Sequence, residues 1–415
     1  ASLGVFCLFF TTLFLVPLLI QVFGVGIKFE ARVQRRQKLL PGWVKLSMWC
    51  TRGVGRIIMM AIVLILIAYG VYASQQLQIG DLRSGAPELR PDSQYNQDIA
   101  YFTQQYSQSV DVYIALVRTP VDQCNTPQVL FALEDFQAKL AVLDGVQDSF
   151  SLSDSVKRVN RGLSEGFPKW SHVPNSHGAI NSTTAYLPDG FMNLNCSFSP
   201  VYIFLKDHKA ATLKQVTTTL ENFDAELQLN NEFDLRIVPA AGNAGIEAAV
   251  NDSIDQQQRS MLMVIYAVVF LLCLMTFRRI SLVLAILIPL GMTSLLCQAL
   301  MTLLDIGVKV STLPVIALGV GIGVDYGVYI CARYLQTNDM TKALVDTGTV
   351  VGFTGLALAI SVGTWIFSAI QFQADMGALL TFMFTWNLLG ALMVLPFLLS
   401  IFHRPITKTS HEDNS

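Results

Sequence analysis

The chain has 415 residues, of which 52% are hydrophobic and only 14% are charged, and its formal net charge is −2. Soluble domains carry about 25% charged residues, so this composition excludes an ordinary soluble protein and indicates a membrane protein. The near-neutral charge gives no reason to expect a nucleic-acid partner, and none is expected.

Long apolar stretches alternate with polar sequence, and about 20 apolar residues cross a bilayer core as a helix. The seven predicted spans are 1–27, 56–74, 260–277, 280–304, 311–332, 348–370 and 376–402. The polar block 75–259 between the second and third spans is long enough to fold around its own core. We therefore expect an α-helical polytopic membrane protein whose last five spans, within 260–402, form one bundle.

Positive charge predicts the orientation, because short cytoplasmic loops are rich in Lys and Arg. The connector 28–55 is basic, contains Trp43 and Trp49, and is predicted to lie as an amphipathic segment on the cytoplasmic surface. This places the block 75–259 on the opposite side and the tail 403–415 in the cytoplasm. The first span lacks the features of a signal peptide and the chain begins with Ala, so we expect a piece of a longer protein.

The hydrophobic pattern of the polar block predicts two strand–helix–strand units. The predicted elements are, in order, 109–117, 126–143, 146–150, 201–205, 209–229 and 235–238. Two such units in one sheet form a ferredoxin-like α+β domain. The intervening stretch 151–198 is rich in Gly, Pro, Ser and Asn, which predicts irregular structure. After residue 238 a continuous helix is predicted to run into the span at 260, because no linker signal interrupts it.

Two kinds of side chain in this block are potential ligands or crosslinks. Cys124 and Cys196 are able to form a disulfide in a translocated domain, and the sequence leaves their pairing open. His172, His177 and His208 lack a metal-binding frame, so we expect surface histidines, with no metal and no cofactor. No nucleophile triad, phosphate loop or dinucleotide motif is present, so we expect a binding and conduit module and no enzyme.

Asp325 is the only carboxylate within the seven predicted spans, in the string GVGIGVDYGVYI of residues 319–330. A charge at the bilayer centre costs about 2.5–3.5 kcal/mol on insertion scales, so such groups usually serve a function. Desolvation favours the protonated carboxyl, and we predict a group that gains and loses a proton as helices move. The structural alternative is that this carboxyl caps a neighbouring helix.

The same helix carries a stripe of small residues, since Gly319, Gly323 and Gly327 recur every four positions. This spacing predicts a face where another helix packs closely. Tyr326 lies over the stripe, and Asp325 lies about 100° round the helix from it.

Hydroxyl and amide groups of the following spans are the predicted partners of Asp325. Thr354 and Ser361 are favoured over Asn387 as relay partners. The alternative is that these hydroxyls bond within their own helix.

The order of spans and polar domain, together with the string LPVIALGVGIGVDYGVYI from residue 313, resembles the RND superfamily. More narrowly, it resembles the MMPL-type bacterial exporters of that superfamily. These exporters are relatives of hopanoid and mycobacterial lipid transporters. The strings DLRSGAPELRPDSQYN, KDHKAATL and AAGNAGIEAA are also similar to exporters of this group. The resemblance covers essentially the whole chain as the C-terminal half of a pump with two similar halves.

This resemblance implies that Asp325 and Tyr326 form a proton-relay pair, with a proton gradient as the energy source. It also implies export of a hydrophobic or lipid-like substrate at a bacterial inner membrane, with the polar block in the periplasm as a porter-like domain. The implied partners are membrane lipids, a missing N-terminal half, and a homo-oligomeric or periplasmic partner. The alternative function is a sterol-sensing-like lipid-binding receptor or scaffold that does not pump.

Overall fold

The computed structural model describes residues 9–23, 42–83, 85–106, 109–188, 190–230 and 234–402. The ends of the first predicted span, most of the basic connector and the tail 403–415 lie outside these residues. Among the described residues, six helices are long and apolar enough to cross a membrane. The first of the seven predicted spans contributes only a shorter apolar helix here, α1, Thr11–Phe23.

Helix α2, Gly42–Cys50, is the described part of the basic connector, and α3, Gly53–Ser74, is the first long helix. Val44 and Ser47 of α2 are fully buried, and Ser47 Oγ donates a hydrogen bond to the Leu392 carbonyl at 2.7 Å. This part of the connector therefore packs against the helix bundle with one face, while Leu46 and Trp49 on the other face are exposed. Its position on the membrane surface stays a prediction.

The polar block folds into what we call the sheet unit, residues 94–241. Its elements are α4, Gln94–Gln105; β1, Val112–Arg118; α5, Pro127–Ala141; β2, Val146–Phe150; α6, Leu152–Leu163; α7, His177–Thr184; β3, Phe198–Leu205; α8, Ala210–Asn230; and β4, Arg236–Ala241. The four strands of the described block form one antiparallel sheet in the order β2–β3–β1–β4. Helix α5 connects β1 to β2 and α8 connects β3 to β4, so the two predicted strand–helix–strand patterns are present.

The core of the sheet unit lies on one face of the sheet. Alternate residues of β1 and β3, including Tyr113 and Ile203, are fully buried, as the two-residue period of a strand requires. Helices α5 and α8 cover this face, and their Phe136 and Phe223 rings stack with centroids 5.2 Å apart. The regularly spaced apolar residues that predicted these elements are therefore the residues that form the core.

The prediction of irregular structure over 151–198 was wrong for part of that stretch. Helix α6 begins at a capping box in which Ser151 and Asp154 each bond the other's backbone N–H group. Leu152 and Val156 of α6 are fully buried in the sheet unit. The Gly- and Pro-rich composition concealed this short helix, although a Ser followed three residues later by an acid is a known start signal.

Five long helices follow the sheet unit. They are α9, Gly242–Phe277; α10, Ile280–Leu303; α11, Leu313–Thr337; α12, Met340–Phe367; and α13, Gln371–Phe402. Helices α10, α11 and α13 form the buried centre of the bundle, whereas α3, α9 and α12 leave most of their apolar surface exposed at its edge. Large apolar side chains of α9 and α12, such as Met263, Val268 and Phe353, are exposed on this surface. Lipid or further membrane helices cover apolar surface of this kind.

Helix α9 leads from the sheet unit into the bundle without a break, which confirms the predicted continuous helix. It starts at Gly242, where φ is +79° and a Cβ would lie 2.4 Å from the Val112 carbonyl oxygen, so only glycine fits. A helix of 36 residues is about 54 Å long, far more than the roughly 30 Å bilayer core. The segment 242–259 therefore extends beyond the membrane-spanning part.

The loop 75–93 after α3 joins the sheet unit to the ends of the bundle helices, and we call this region the junction. The Gly80 N–H group donates to the Val308 carbonyl at 2.8 Å, in the loop that joins α10 to α11. Arg90 donates to the Ser368 carbonyl at 2.7 Å, in the loop that joins α12 to α13. One segment thus holds two loops of the bundle.

Candidate functional site

Asp325 lies at the middle of α11 and faces away from the centre of the bundle. Its side chain is exposed, as are Leu318 and Tyr329 on the same face, which are 47% and 59% exposed. Within the described ranges, no side chain or backbone group forms a hydrogen bond or ion pair with the Asp325 carboxylate. A carboxylate placed in an apolar helix needs protein or water over it.

Tyr326, the next residue, points into the bundle. It is only 3% exposed, and its hydroxyl is buried with no hydrogen-bond partner among the residues that the structure describes. The two members of the predicted relay pair therefore lie on different faces of α11, and no hydrogen bond joins them.

The glycine stripe is the closest contact of α11 with its neighbours. A Cβ at Gly319 would lie 2.4 Å from Met383 of α13, and a Cβ at Gly323 would lie 2.3 Å from Asn387 Nδ2. At Gly327 the neighbour is Ile286 of α10, at 3.1 Å. The stripe thus lets α11 approach α13 and α10, as small residues do between membrane helices.

Thr354 and Ser361 do not bond Asp325. Thr354 Oγ1 donates to the Val350 and Val351 carbonyls of its own helix at 3.1 Å each, and both predicted partners are exposed on α12. These contacts match the alternative in which span hydroxyls satisfy their own backbone.

Asn387, which was favoured less than Thr354 and Ser361 as a partner, is a polar side chain of α13 that contacts α11. It is buried, and its Nδ2 donates to the Gly319 carbonyl at 2.7 Å. The sequence contained a signal for this contact, because an amide side chain in an apolar span needs a hydrogen-bond partner inside the bundle.

Asp375 was missed because residues 371–375 lie between the predicted spans 348–370 and 376–402. They form the first turn of α13, and Asp375 is buried. Its Oδ1 accepts a hydrogen bond from Gln371 at 2.7 Å, and the Arg83 guanidinium lies 3.9 Å away. This carboxylate is thus paired at the junction, in contrast to Asp325.

A large crevice of about 1680 Å³ opens between the sheet unit and the bundle. Its wall follows α9 from Ile246, beside the sheet unit, to Val264 in the membrane-spanning part. Apolar side chains of both regions line it, among them Leu77, Leu213 and Leu313. The crevice is larger than a typical small-ligand pocket of about 300–1,000 Å³ and joins the apolar bundle to the sheet unit.

Comparison with known proteins shows which family this chain resembles. Residues 207–413, which include α8 to α13 and Asp325, match the model of the MMPL family. The chain is an MMPL-type membrane protein.

Two solved structures share the fold of this MMPL-type chain. The hedgehog release protein Disp from the water bear Hypsibius dujardini is 16% identical with a TM-score of 0.54, and 90% of this chain matches 50% of that one. A heavy metal efflux pump is 13% identical with a TM-score of 0.55, and 86% of this chain matches 48% of that one. The chain thus spans about half the length of these two structures.

A putative membrane protein of Methanocaldococcus jannaschii is also similar. It is 20% identical over 291 residues, which are 68% of this chain and 72% of that protein.

The histidines of this MMPL-type protein differ in their surroundings. His172 and His177 are exposed, as expected, with ring nitrogens near the Lys169 carbonyl and the Asn125 side chain. His208 is only 3% exposed, so the expected surface position is wrong for it. The sequence could not show this burial, because it arises where the sheet unit meets the junction.

The buried His208 belongs to a group of charged side chains. Its Nδ1 lies 3.1 Å from Asp111 Oδ1. Burial alone lowers the pKa of His208, but the hydrogen bond and charge of Asp111, with the carboxylates of Glu247 and Asp81, raise it to about 8. Burial raises the pKa of Glu247, in the part of α9 beyond the membrane, to about 7, while His208 acts in the opposite direction.

Cys124 and Cys196 form a disulfide in the sheet unit, with Cα atoms 5.0 Å apart. The bond ties the loop after β1 to the segment that precedes β3. Sequence spacing left this pairing open, and the antiparallel pairing of β1 with β3 brings the two residues together.

Proposed function

We propose that this chain forms one half of a proton-driven exporter that moves hydrophobic or lipid-like molecules across or out of a bacterial inner membrane. Asp325 is the proton-binding group, and Tyr326 is the second member of the relay. The other half is a similar helical unit that packs on the exposed face of α11. The half-length match to two solved structures of the same fold supports this arrangement.

The observation that carries the proposal is the position of Asp325. It lies at the centre of a 25-residue apolar helix, on an exposed face. Among the residues that the structure describes, it has no hydrogen-bond or ion-pair partner. An ionised carboxylate is unfavourable there and a protonated one is much less so. A change in its surroundings between two conformations would therefore bind and release a proton.

The crevice supports a hydrophobic substrate. It reaches from membrane-spanning residues of α9 to the sheet unit, so its apolar side chains would contact a hydrophobic molecule that leaves the bilayer. We place the sheet unit in the periplasm from the charge pattern of the loops. Its strand order supports a split βαβ, ferredoxin-like porter domain above the bundle.

The decisive experiment is flux by the full-length transporter in proteoliposomes with an imposed pH gradient and a fluorescent lipid as probe. Asp325→Asn keeps the size of the side chain but does not ionise, so gradient-dependent flux should be lost. Asp135→Asn makes the same chemical change at an exposed site on α5 and should leave flux unchanged. Undiminished flux in Asp325→Asn would overturn the relay.

The same preparation tests the sterol-sensing-like alternative, in which the spans bind lipid without pumping. A receptor would bind the fluorescent lipid equally well in Asp325→Asn, and its wild-type form would show no response to the gradient. Gradient-dependent wild-type flux with loss in Asp325→Asn would exclude it.

A further inference from the structure

The junction contains a cluster of ligating side chains that the proposed relay does not use. Asp81 follows α3, His208 lies in the turn between β3 and α8, and Glu247 lies near the start of α9. One carboxylate oxygen of each acid and one ring nitrogen of His208 all lie within 4.8 Å of one another. Three elements that are far apart in the sequence thus place their ligand atoms around one point.

His208 supplies an independent indication that this point binds something. Its side chain is buried, and Nε2 has no hydrogen-bond partner in the part of the chain that the structure describes. Buried polar atoms are almost always paired, so this imidazole nitrogen needs a partner such as a bound ion or an ordered water.

The other ring nitrogen has the partner that metal-binding histidines use. Nδ1 lies 3.1 Å from the Asp111 carboxylate and donates its proton to it. In the neutral imidazole the Nε2 lone pair is then the free one, and a metal ion that binds there replaces the Nε2 proton of the charged ring. A carboxylate in this position orients the imidazole and makes it a better donor to a metal ion.

We propose that Asp81, His208 and Glu247 bind a divalent transition-metal ion of the Zn²⁺ type, through His208 Nε2 and one oxygen of each carboxylate. Imidazole and carboxylate ligands with one further position for water are a donor set that zinc accepts in proteins. This differs from the expectation from sequence that no metal is bound.

Lys309 competes with such an ion, because its ammonium group pairs with Asp81, one of the proposed ligands. Its Nζ lies 2.5 Å from Asp81 Oδ1, and both side chains are largely buried, at 16% and 15% exposed. The ammonium therefore offsets part of the negative charge that would attract a metal. Removing it should strengthen metal binding, whereas a site without metal would show no such effect.

The metal would clamp the sheet unit to the membrane helices. Asp81 is attached to α3, Glu247 lies on the helix that becomes a span, and His208 belongs to the sheet unit. One ion would join all three, so the inference does not depend on proton transport or on the identity of a substrate.

The test uses the full chain purified in detergent, stripped with EDTA and titrated with Zn²⁺ by calorimetry. We expect about one ion per chain, and Glu247→Gln and Asp81→Asn should each weaken binding about tenfold or more. Asp252→Asn, an exposed change on the same helix, is the matched control and should bind like the wild type. Lys309→Met should bind more tightly.

Size-exclusion elution and an intact Cys124–Cys196 disulfide confirm that each variant is folded. Because Glu247→Gln and Lys309→Met keep side chains of similar size, these two variants test the proposal even where a His208 variant fails to fold. The proposal is overturned by the absence of stoichiometric uptake, by uptake that is unchanged in Glu247→Gln, or by Lys309→Met that binds no more tightly than the wild type.

Discussion

Asp325 and Tyr326 are neighbours in the chain but have opposite surroundings. One residue of helix rotates a side chain by about 100°, so Asp325 faces outward while Tyr326 is buried. Among the residues that the structure describes, neither the Asp325 carboxylate nor the Tyr326 hydroxyl has a hydrogen-bond or ion-pair partner. Each group is therefore ready to gain a partner when helices move, which is what a relay requires.

Tyr326→Phe separates packing from proton transfer. The change removes only the buried hydroxyl, which has no described partner, so the free energy of unfolding should stay within about 1 kcal/mol of wild type. Gradient-dependent flux should fall, because the relay loses its second group. Thermal unfolding and flux are measured on one preparation. A larger loss of stability would reveal a hidden hydrogen bond, and full flux would remove Tyr326 from the relay.

At the scale of the element, α11 combines close packing on one side with an exposed acid on another. The stripe of glycines brings its backbone against α13 and α10, and Asn387 bonds the Gly319 carbonyl across the contact. Directly beyond Asn387, α13 widens into a π-turn at Gly390–Val394. Such turns often mark places where a helix changes shape, so this contact is a suitable place for motion of α11.

Gly323→Ala and Gly321→Ala form a matched pair on α11. A Cβ at Gly323 would lie 2.3 Å from Asn387 Nδ2, whereas nothing lies within 4 Å of a Cβ at Gly321. Gly323→Ala should therefore cost about 1–3 kcal/mol by overpacking. Gly321→Ala should be neutral or stabilising by up to about 1 kcal/mol, since Ala favours a helix. Thermal unfolding in detergent checks both, and equal effects would contradict the packing of the stripe.

At the scale of the whole molecule, α9 is the rigid link between the sheet unit and the membrane. It forms one wall of the crevice and continues into the bundle without an intervening loop. The loop 75–93 makes a second link at the junction through Gly80 and Arg90. Tilting the sheet unit would therefore move membrane helices, and the proposed function requires this movement to be coupled to proton binding at Asp325.

Arg259→Pro breaks this link at an exposed position directly before the predicted span. Proline removes a helix hydrogen bond, clashes with the preceding turn and costs about 3 kcal/mol in a helix interior. Gradient-dependent flux should fall severalfold, while binding of the fluorescent lipid should persist. Arg259→Ala retains the helix and is the control. If Arg259→Pro transports as well as Arg259→Ala, α9 does not couple the two parts.

The amino-acid sequence alone determined the elements whose signal is local. Hydrophobic runs located the six long helices of the described chain, although α12 begins eight residues before its predicted span. The two-residue and 3.6-residue periods located the four strands and the helices α5 and α8 of the sheet unit, but not α4 and α7. Asp325 and the glycine stripe were also visible, because a lone acid and a four-residue repeat need no knowledge of neighbours. The short helix α6 was hidden, since composition outweighed its capping signal.

Only the tertiary structure decided which side chains meet. Asn387, not Thr354 or Ser361, contacts α11, because helix packing and not polarity selects partners. The Cys124–Cys196 pair and the burial of His208 with Asp81 and Glu247 depend on strands and helices far apart in the sequence. Local patterns specify an element and its buried face, whereas a site assembled from several elements depends on contacts over long sequence separations.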